Sequence, residues 1–212
     1  MKKLVVIASL FMATMVNAQS KFESGMIKGL GMMKDAKSPQ ELTDTEAFFE
    51  RIADAEKTQW LPYYYAAYCT VLSTYLEKDK SKVDAIADKA QQLITKSEQI
   101  AGKENSETAV IESMIASAHM MVDPMSRYMQ YGKTSSENIE KAKSLDPSNP
   151  RPVYLEGTTK FYTPEAFGGG KAPAEELFKK ALLMFATFRP ADDLSPTWGK
   201  SATDYFIAQC HK

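Results

Sequence analysis

Apolar residues recur at intervals of three and four along almost the whole chain, the period of one face of an α-helix. The first stripe is Phe22, Met26, Ile27, Leu30 and Met33. Gly25, Gly29 and Gly31 interrupt it, which either weakens that helix or lets another approach it closely. Ser38-Pro39-Gln40-Glu41 opens the next helix. Ser38 suits the N-cap, Pro39 the first turn, and Glu41 the reciprocal position of a capping box. Leu42, Phe48, Phe49 and Ile52 form its apolar face. Residues 60–76 carry Trp60, Tyr63, Tyr64, Tyr65, Tyr68 and Tyr75 and are apolar on most sides. A helix of that kind is sandwiched between others.

Residues 81–100 follow, with Val83, Ile86, Ala87, Ala90, Leu93 and Ile94 on one stripe and Gly102 as the terminator. Ser106 is placed to cap a helix over 108–122, which Asp123-Pro124 stops. Residues 124–134 fit no single element. A helix over 135–145 leads to the turn Asp146-Pro147-Ser148-Asn149-Pro150, and another covers 152–162. A loop at 163–171 contains three consecutive glycines. Residues 173–188 form a strong amphipathic helix, and Ser195-Pro196 opens a last one that runs to about Cys210. No stretch has the clean period of two that a half-buried strand requires. Helices joined by short turns predict an all-α fold of antiparallel helical pairs.

The first 18 residues read as something other than fold. Lys2 and Lys3 precede an apolar run, and Val16-Asn17-Ala18 satisfies the small-residue rule for cleavage between Ala18 and Gln19. The run is shorter than the roughly 20 residues of a spanning helix. The expected product is a signal peptide at 1–18 and a single exported domain at 19–212, periplasmic or secreted and not membrane-spanning.

Composition narrows the class. The chain has 212 residues, 44% hydrophobic and 25% charged, too apolar for a disordered protein. Its formal net charge of -1 and pI near 6.2 lack the basic balance of a nucleic-acid binder. Export permits a disulfide between Cys69 and Cys210, but spacing alone does not place the two sulfurs together, and two separate buried thiols are the favoured reading.

Within 135–157, Ile139, Ala142, Pro147 and Gly157 hold a recognisable spacing. Close antiparallel helices need small residues such as Ala142 and Gly157, and Pro147 marks the turn between units. Ala174, Phe178 and Ala181 repeat the pattern after an insertion at Pro164–Gly170. In these positions the chain resembles the tetratricopeptide-repeat superfamily, most clearly over about residues 135–188. The stretch Phe161 to Gly170 with Pro196-Thr197-Trp198-Gly199 also resembles a group of exported repeat proteins from Bacteroidetes-type bacteria. It is similar, more loosely, to the periplasmic T component of some TRAP transporters. The resemblance implies an antiparallel helical-hairpin solenoid with a right-handed superhelix, and a concave groove lined by the first helix of each pair. In that register Arg151, Tyr154, Thr158, Phe161 and Tyr162 face the groove. An aromatic surface with one guanidinium suits a peptide, a carboxylate or a sugar-like ligand.

Reactive chemistry has little footing. Gly168-Gly169-Gly170-Lys171 precedes a helix and has amides for an anion, but Glu165 and Ala172 stand where a Walker A loop needs Gly and Ser or Thr. With Phe167, the loop is either a ligand element or a conformational one. His119 and His211 have no metal-site spacing, so neither metal nor cofactor is expected. Cys69 has no neighbouring histidine in sequence, although a Cys–His pair formed by the fold would be invisible here. The methionine-rich stretch from Met114 to Met129 suits core filling or an adaptable surface. The leading expectation is a non-enzymatic exported scaffold for a protein or peptide partner. The alternative is a periplasmic small-ligand carrier or transporter accessory, and a hydrolase of unrecognised type comes third.

Overall fold

A computed structural model describes residues 21–212. The expected signal segment at 1–18 and its Ala18/Gln19 junction lie outside the described residues. Within them the chain is helical, with no strand. Helix α1 covers residues 21–35. The others are α2 (Pro39–Glu56), α3 (Leu61–Leu76), α4 (Val83–Ala101), α5 (Ser106–Val122), α6 (Pro124–Arg127), α7 (Lys133–Leu145), α8 (Pro150–Tyr162), α9 (Lys171–Thr187) and α10 (Lys200–Cys210). Short 3₁₀ turns stand at Lys80–Lys82 and Glu165–Phe167.

Local chemistry sets the boundaries. The Glu41 amide donates to Ser38 Oγ at 3.3 Å, while the Glu41 carboxylate accepts from the Lys37 amide at 2.7 Å. The capping pair is therefore displaced by one residue from the reciprocal box. Lys57 and Gly102 end α2 and α4 in the left-handed conformation. The cap of α5 is Asn105, which makes a full capping box with Thr108. Ser106 lies inside the helix and bonds across to the Ala142 carbonyl at 2.9 Å.

Each helix packs chiefly on its chain neighbours, α2 on α3, α3 on α4 and so on to α9 on α10, with α7 taking the place after α5. The sandwiched α3 is buried from Leu61 to Val71, where Tyr64, Tyr65 and Cys69 are at most 1% exposed. Each large side chain so buried contributes about 1.5–3 kcal/mol. Gly29 carries the close approach expected near the N-terminus. A Cβ there would stand 2.6 Å from the Phe49 ring, which stacks on Tyr65 at 5.3 Å. Gly157 serves α9, not α7: its Cβ position is 2.6 Å from Phe178, so the expected pairing with Ala142 is replaced.

Three stretches differ from expectation. Residues 124–132 form α6 and one π-helical turn at Tyr128–Gly132. Arg127 pins this insert by a two-pronged bond to Asp84 of α4, at 2.6 and 2.9 Å, and His119 joins the same carboxylate at 2.8 Å. Arg127 in particular holds the Asp84 carboxyl down to about 2. Met114 fills core, but Met125 and Met129 are 94% and 81% exposed. The last helix begins at Lys200, not at Ser195, because residues 188–199 run as an irregular strap back to α3.

Candidate functional site

Five aromatic rings from α8, α9 and α10 gather around Phe206. Its ring stacks on the buried Phe178 at 5.3 Å and meets Phe161 edge-on at 5.4 Å. Tyr205, Tyr162 and Tyr154 lie 5.5, 6.0 and 6.2 Å away. Tyr75, at the end of α3, completes the face. Its hydroxyl donates to the Met114 carbonyl at 3.3 Å, and after burial Tyr154 and Tyr162 help to raise it above its ordinary range. Helical spacing explains the assembly: Tyr154, Thr158 and Phe161 lie on one side of α8. The outer rings stay uncovered, with Tyr162 74% and Tyr205 59% exposed. Leu76 is exposed beside Tyr75. Burial holds the hydroxyls of Tyr75, Tyr154 and Tyr162 above their ordinary range, which keeps them neutral donors.

The strap decides where this face begins. Tyr65 donates to the Leu194 carbonyl at 2.7 Å, and Trp198 stacks on Tyr68 at 4.4 Å. The strap thus covers the first half of α3 and leaves Tyr75 and Leu76 free. Arg151 secures it. Its guanidinium lies 5.2 Å from both the Phe188 and Trp198 rings, bonds to the Pro196 carbonyl, and pairs with Glu107 at 2.8 Å. Glu107 also accepts from Tyr64 at 3.1 Å and Asn149 at 2.8 Å. Burial pushes the Glu107 carboxyl up, against the pull of Arg151. Arg151 is fully buried, so its expected place on an open groove is corrected: it is a fastening residue under the strap.

The other expected residues divide. Tyr154, Phe161 and Tyr162 stand in the aromatic face, and Thr158 is half-buried with its hydroxyl spent on the Leu155 carbonyl at 2.7 Å. The glycine loop does not cradle an anion with its amides. Those of Gly168, Gly169 and Gly170 bond to the carbonyls of Glu165, Pro164 and Lys160. Lys171 opens α9 at the surface, and Phe167 projects from the loop, 78% exposed. The sequence pattern showed Tyr75 only as part of a sandwiched helix and did not single out Tyr205 and Phe206. The adjacent aromatics Tyr205-Phe206 in an otherwise small and polar stretch were the available signal.

Residues suited to reactive chemistry are engaged elsewhere. His119 stacks on Tyr131 at 4.9 Å as well as pairing with Asp84, and His211 faces Glu175 at 3.4 Å. Burial pushes the Cys69 thiol up, opposite to what a nucleophile needs. Cys69 and Cys210 are both free thiols. Glu98, Glu104 and Glu112 bring carboxylates within 4.8 Å of one another. The Lys141 ammonium already sits against Glu104 and Glu112 and supplies the cation there. Among the described residues no helix is long and apolar enough to cross a membrane.

No family model matches the chain, and no curated protein matches it. Among solved structures it is similar to the HusA haemophore from Porphyromonas gingivalis, with a TM-score of 0.79 and 30% sequence identity. The match covers 89% of this chain and 92% of that one.

Proposed function

The chain belongs to the all-helical family that includes the HusA haemophore, and we propose that it is a non-enzymatic carrier of a planar tetrapyrrole such as haem. The ligand lies on the aromatic face of α3, α8 and α10, and the carrier works outside the cytoplasm. This favours the small-ligand alternative over a protein or peptide scaffold. The observation that carries it is the uncovered pair Tyr162 and Tyr205, standing over the packed hub of Phe206. Exposed rings on a rigid base offer a macrocycle flat apolar contact at little entropic cost. His119 is engaged with Asp84 on α4, and no histidine is among the rings of the face, which leaves stacking as its main means of attraction. Packing of each helix on its chain neighbours supports the helical-repeat kinship of the fold.

Titration with haemin, followed by Soret absorbance and by quenching of protein fluorescence, tests the proposal. A saturable site that weakens at least tenfold in Tyr162→Ala plus Tyr205→Ala is expected. Binding unchanged in that variant, or no saturable binding, overturns it.

A further inference from the structure

The two interruptions of the helix pairing meet at one cleft. It measures about 250 Å³ and lies between α7 and α8. It is lined by Glu156, Thr159 and Lys160 of α8 and by Thr163 just past its end, the side turned away from Tyr154 and Phe161. Each interruption brings one ring to it. The π turn contributes Tyr128, 54% exposed, and the glycine loop contributes Phe167.

Phe167 is held by a built loop. The Gly168 and Gly169 amides are bonded within it, the Gly170 amide ties it to the Lys160 carbonyl of α8, and the Lys160 ammonium donates to the Gly168 carbonyl at 3.1 Å. Gly168 and Gly170 have positive φ, and a Cβ on Gly169 would fall 2.1 Å from the Thr163 carbonyl oxygen. Glycine is required for the loop to fold back in this way. The loop presents a phenyl ring to water, 78% exposed, which forgoes its apolar burial.

The floor is polar and balanced. Ser136 and Thr159 donate to the Gly132 and Leu155 carbonyls at 3.0 and 3.1 Å and keep lone pairs for an incoming donor. Glu140 and Glu156 each give one oxygen to Lys143 at 2.7 Å. Their second oxygens have no partner among the described residues. Lys143 bridges both carboxylates from behind the lining, and Lys160 adds a second ammonium at the cleft, so the formal charges balance and the cleft selects neither anion nor cation.

We propose that this cleft is a second ligand site, for a neutral pyranose sugar. The C–H face of a pyranose fits against Phe167 and Tyr128, and its hydroxyls match the free oxygens of Glu140 and Glu156 and the protons of Lys160. An apolar ligand would strand these polar groups unpaired. A charged ligand would meet a neutral floor. The site stands apart from the aromatic face and does not depend on what that face binds.

Saturation-transfer difference NMR on the purified protein tests it, with glucose, galactose, N-acetylglucosamine and maltose as probes. Saturation should pass to the ring protons of at least one probe. It should fall at least fivefold in Phe167→Ala and in Tyr128→Ala, both at exposed positions that leave the helical circular dichroism unchanged. Haemin titration should be unaltered in both. Maltose favoured over glucose assigns a glycan chain, equal binding assigns the free monosaccharide, and either supports the site. No saturation of any probe at millimolar concentration overturns the proposal. So does transfer that survives Phe167→Ala, or haemin affinity that falls with it.

Discussion

The indole nitrogen of Trp198 donates to the Tyr64 hydroxyl at 2.8 Å, joining the end of the strap to the most enclosed helix across 134 residues of chain. The same indole stacks on Tyr68 and covers one face of the Arg151 guanidinium. Trp198→Phe keeps the ring contacts and loses one hydrogen bond, so it should cost about 1 kcal/mol. Trp198→Ala also removes the stack and opens a void, and should cost about 3 kcal/mol. Urea unfolding separates the two. Equal losses would mean that the hydrogen bond, not the ring, fixes the strap.

Arg151 and Glu107 form a buried pair, and a buried charge stripped of its partner is costly. Arg151→Met should destabilise by about 3–5 kcal/mol, and adding Glu107→Gln should recover part of that loss. A double-mutant cycle in denaturant gives the coupling. Strict additivity would show that the two side chains act independently.

How far these features were legible depends on the range of their causes. Helix starts follow from adjacent residues, so Ser38-Pro39 and Gly102 announced α2 and the end of α4. The start of α5 was misplaced by one residue because Asn105 and Ser106 are both good caps, and Ser106 is used by α7 instead. Arg151 could not be read as buried, since its partners Phe188, Pro196 and Trp198 lie at least 37 positions away along the chain. The carboxylates of Glu98, Glu104 and Glu112 are close in sequence, but they meet only because the turn between α4 and α5 folds the two helices together. On α8, Tyr154 and Phe161 were legible by spacing, but their completion by Tyr75 and Phe206 needed the fold.

Glycine substitutions distinguish packing from propensity. Gly157→Ala drives a methyl into Phe178, which is fully buried and has nowhere to move, so about 1–3 kcal/mol should be lost. Gly31 lies on an exposed helical position with nothing within 4 Å of its Cβ site. Gly31→Ala should stabilise by up to about 1 kcal/mol. Thermal melts of both decide it, and a stabilising Gly157→Ala would contradict the close approach of α8 and α9.

Two buried carboxylates make the protein more stable in mild acid. Burial, helped by neighbouring carboxylates, pushes Glu46 and Glu112 up to about 7, against the attraction of Lys89 and Lys141. In the unfolded chain both titrate near 4.5. The folded form therefore holds their protons more tightly, and stability rises as pH falls from 8 toward 5. Each contributes on the order of 1 kcal/mol between pH 8 and pH 6. Asp84, held down to about 2, is ionised throughout this window and adds no slope there. Urea unfolding at the two pH values should show the gain, and Glu112→Gln should reduce it. A flat profile would place these carboxyls at ordinary acidity.

The ring and the hydroxyl of Tyr162 make different predictions for ligand binding. If a tetrapyrrole is held by stacking over Phe206, the ring provides the contact area and the hydroxyl adds one exposed polar contact. Tyr162→Phe should leave haemin affinity within about threefold, while Tyr162→Ala should weaken it about tenfold, the scale of one aromatic contact of about 1.4 kcal/mol. Coordination of iron by the phenolate predicts the reverse order, with Tyr162→Phe as damaging as Tyr162→Ala and a shifted Soret band. The structure favours the first outcome, because partial burial and the neighbouring Tyr205 raise the Tyr162 hydroxyl above its ordinary range and disfavour the phenolate. Binding should accordingly show no dependence on tyrosine ionisation between pH 6 and pH 8. Affinity that climbs with pH across that interval, together with loss in Tyr162→Phe, would transfer the role from the ring to the oxygen.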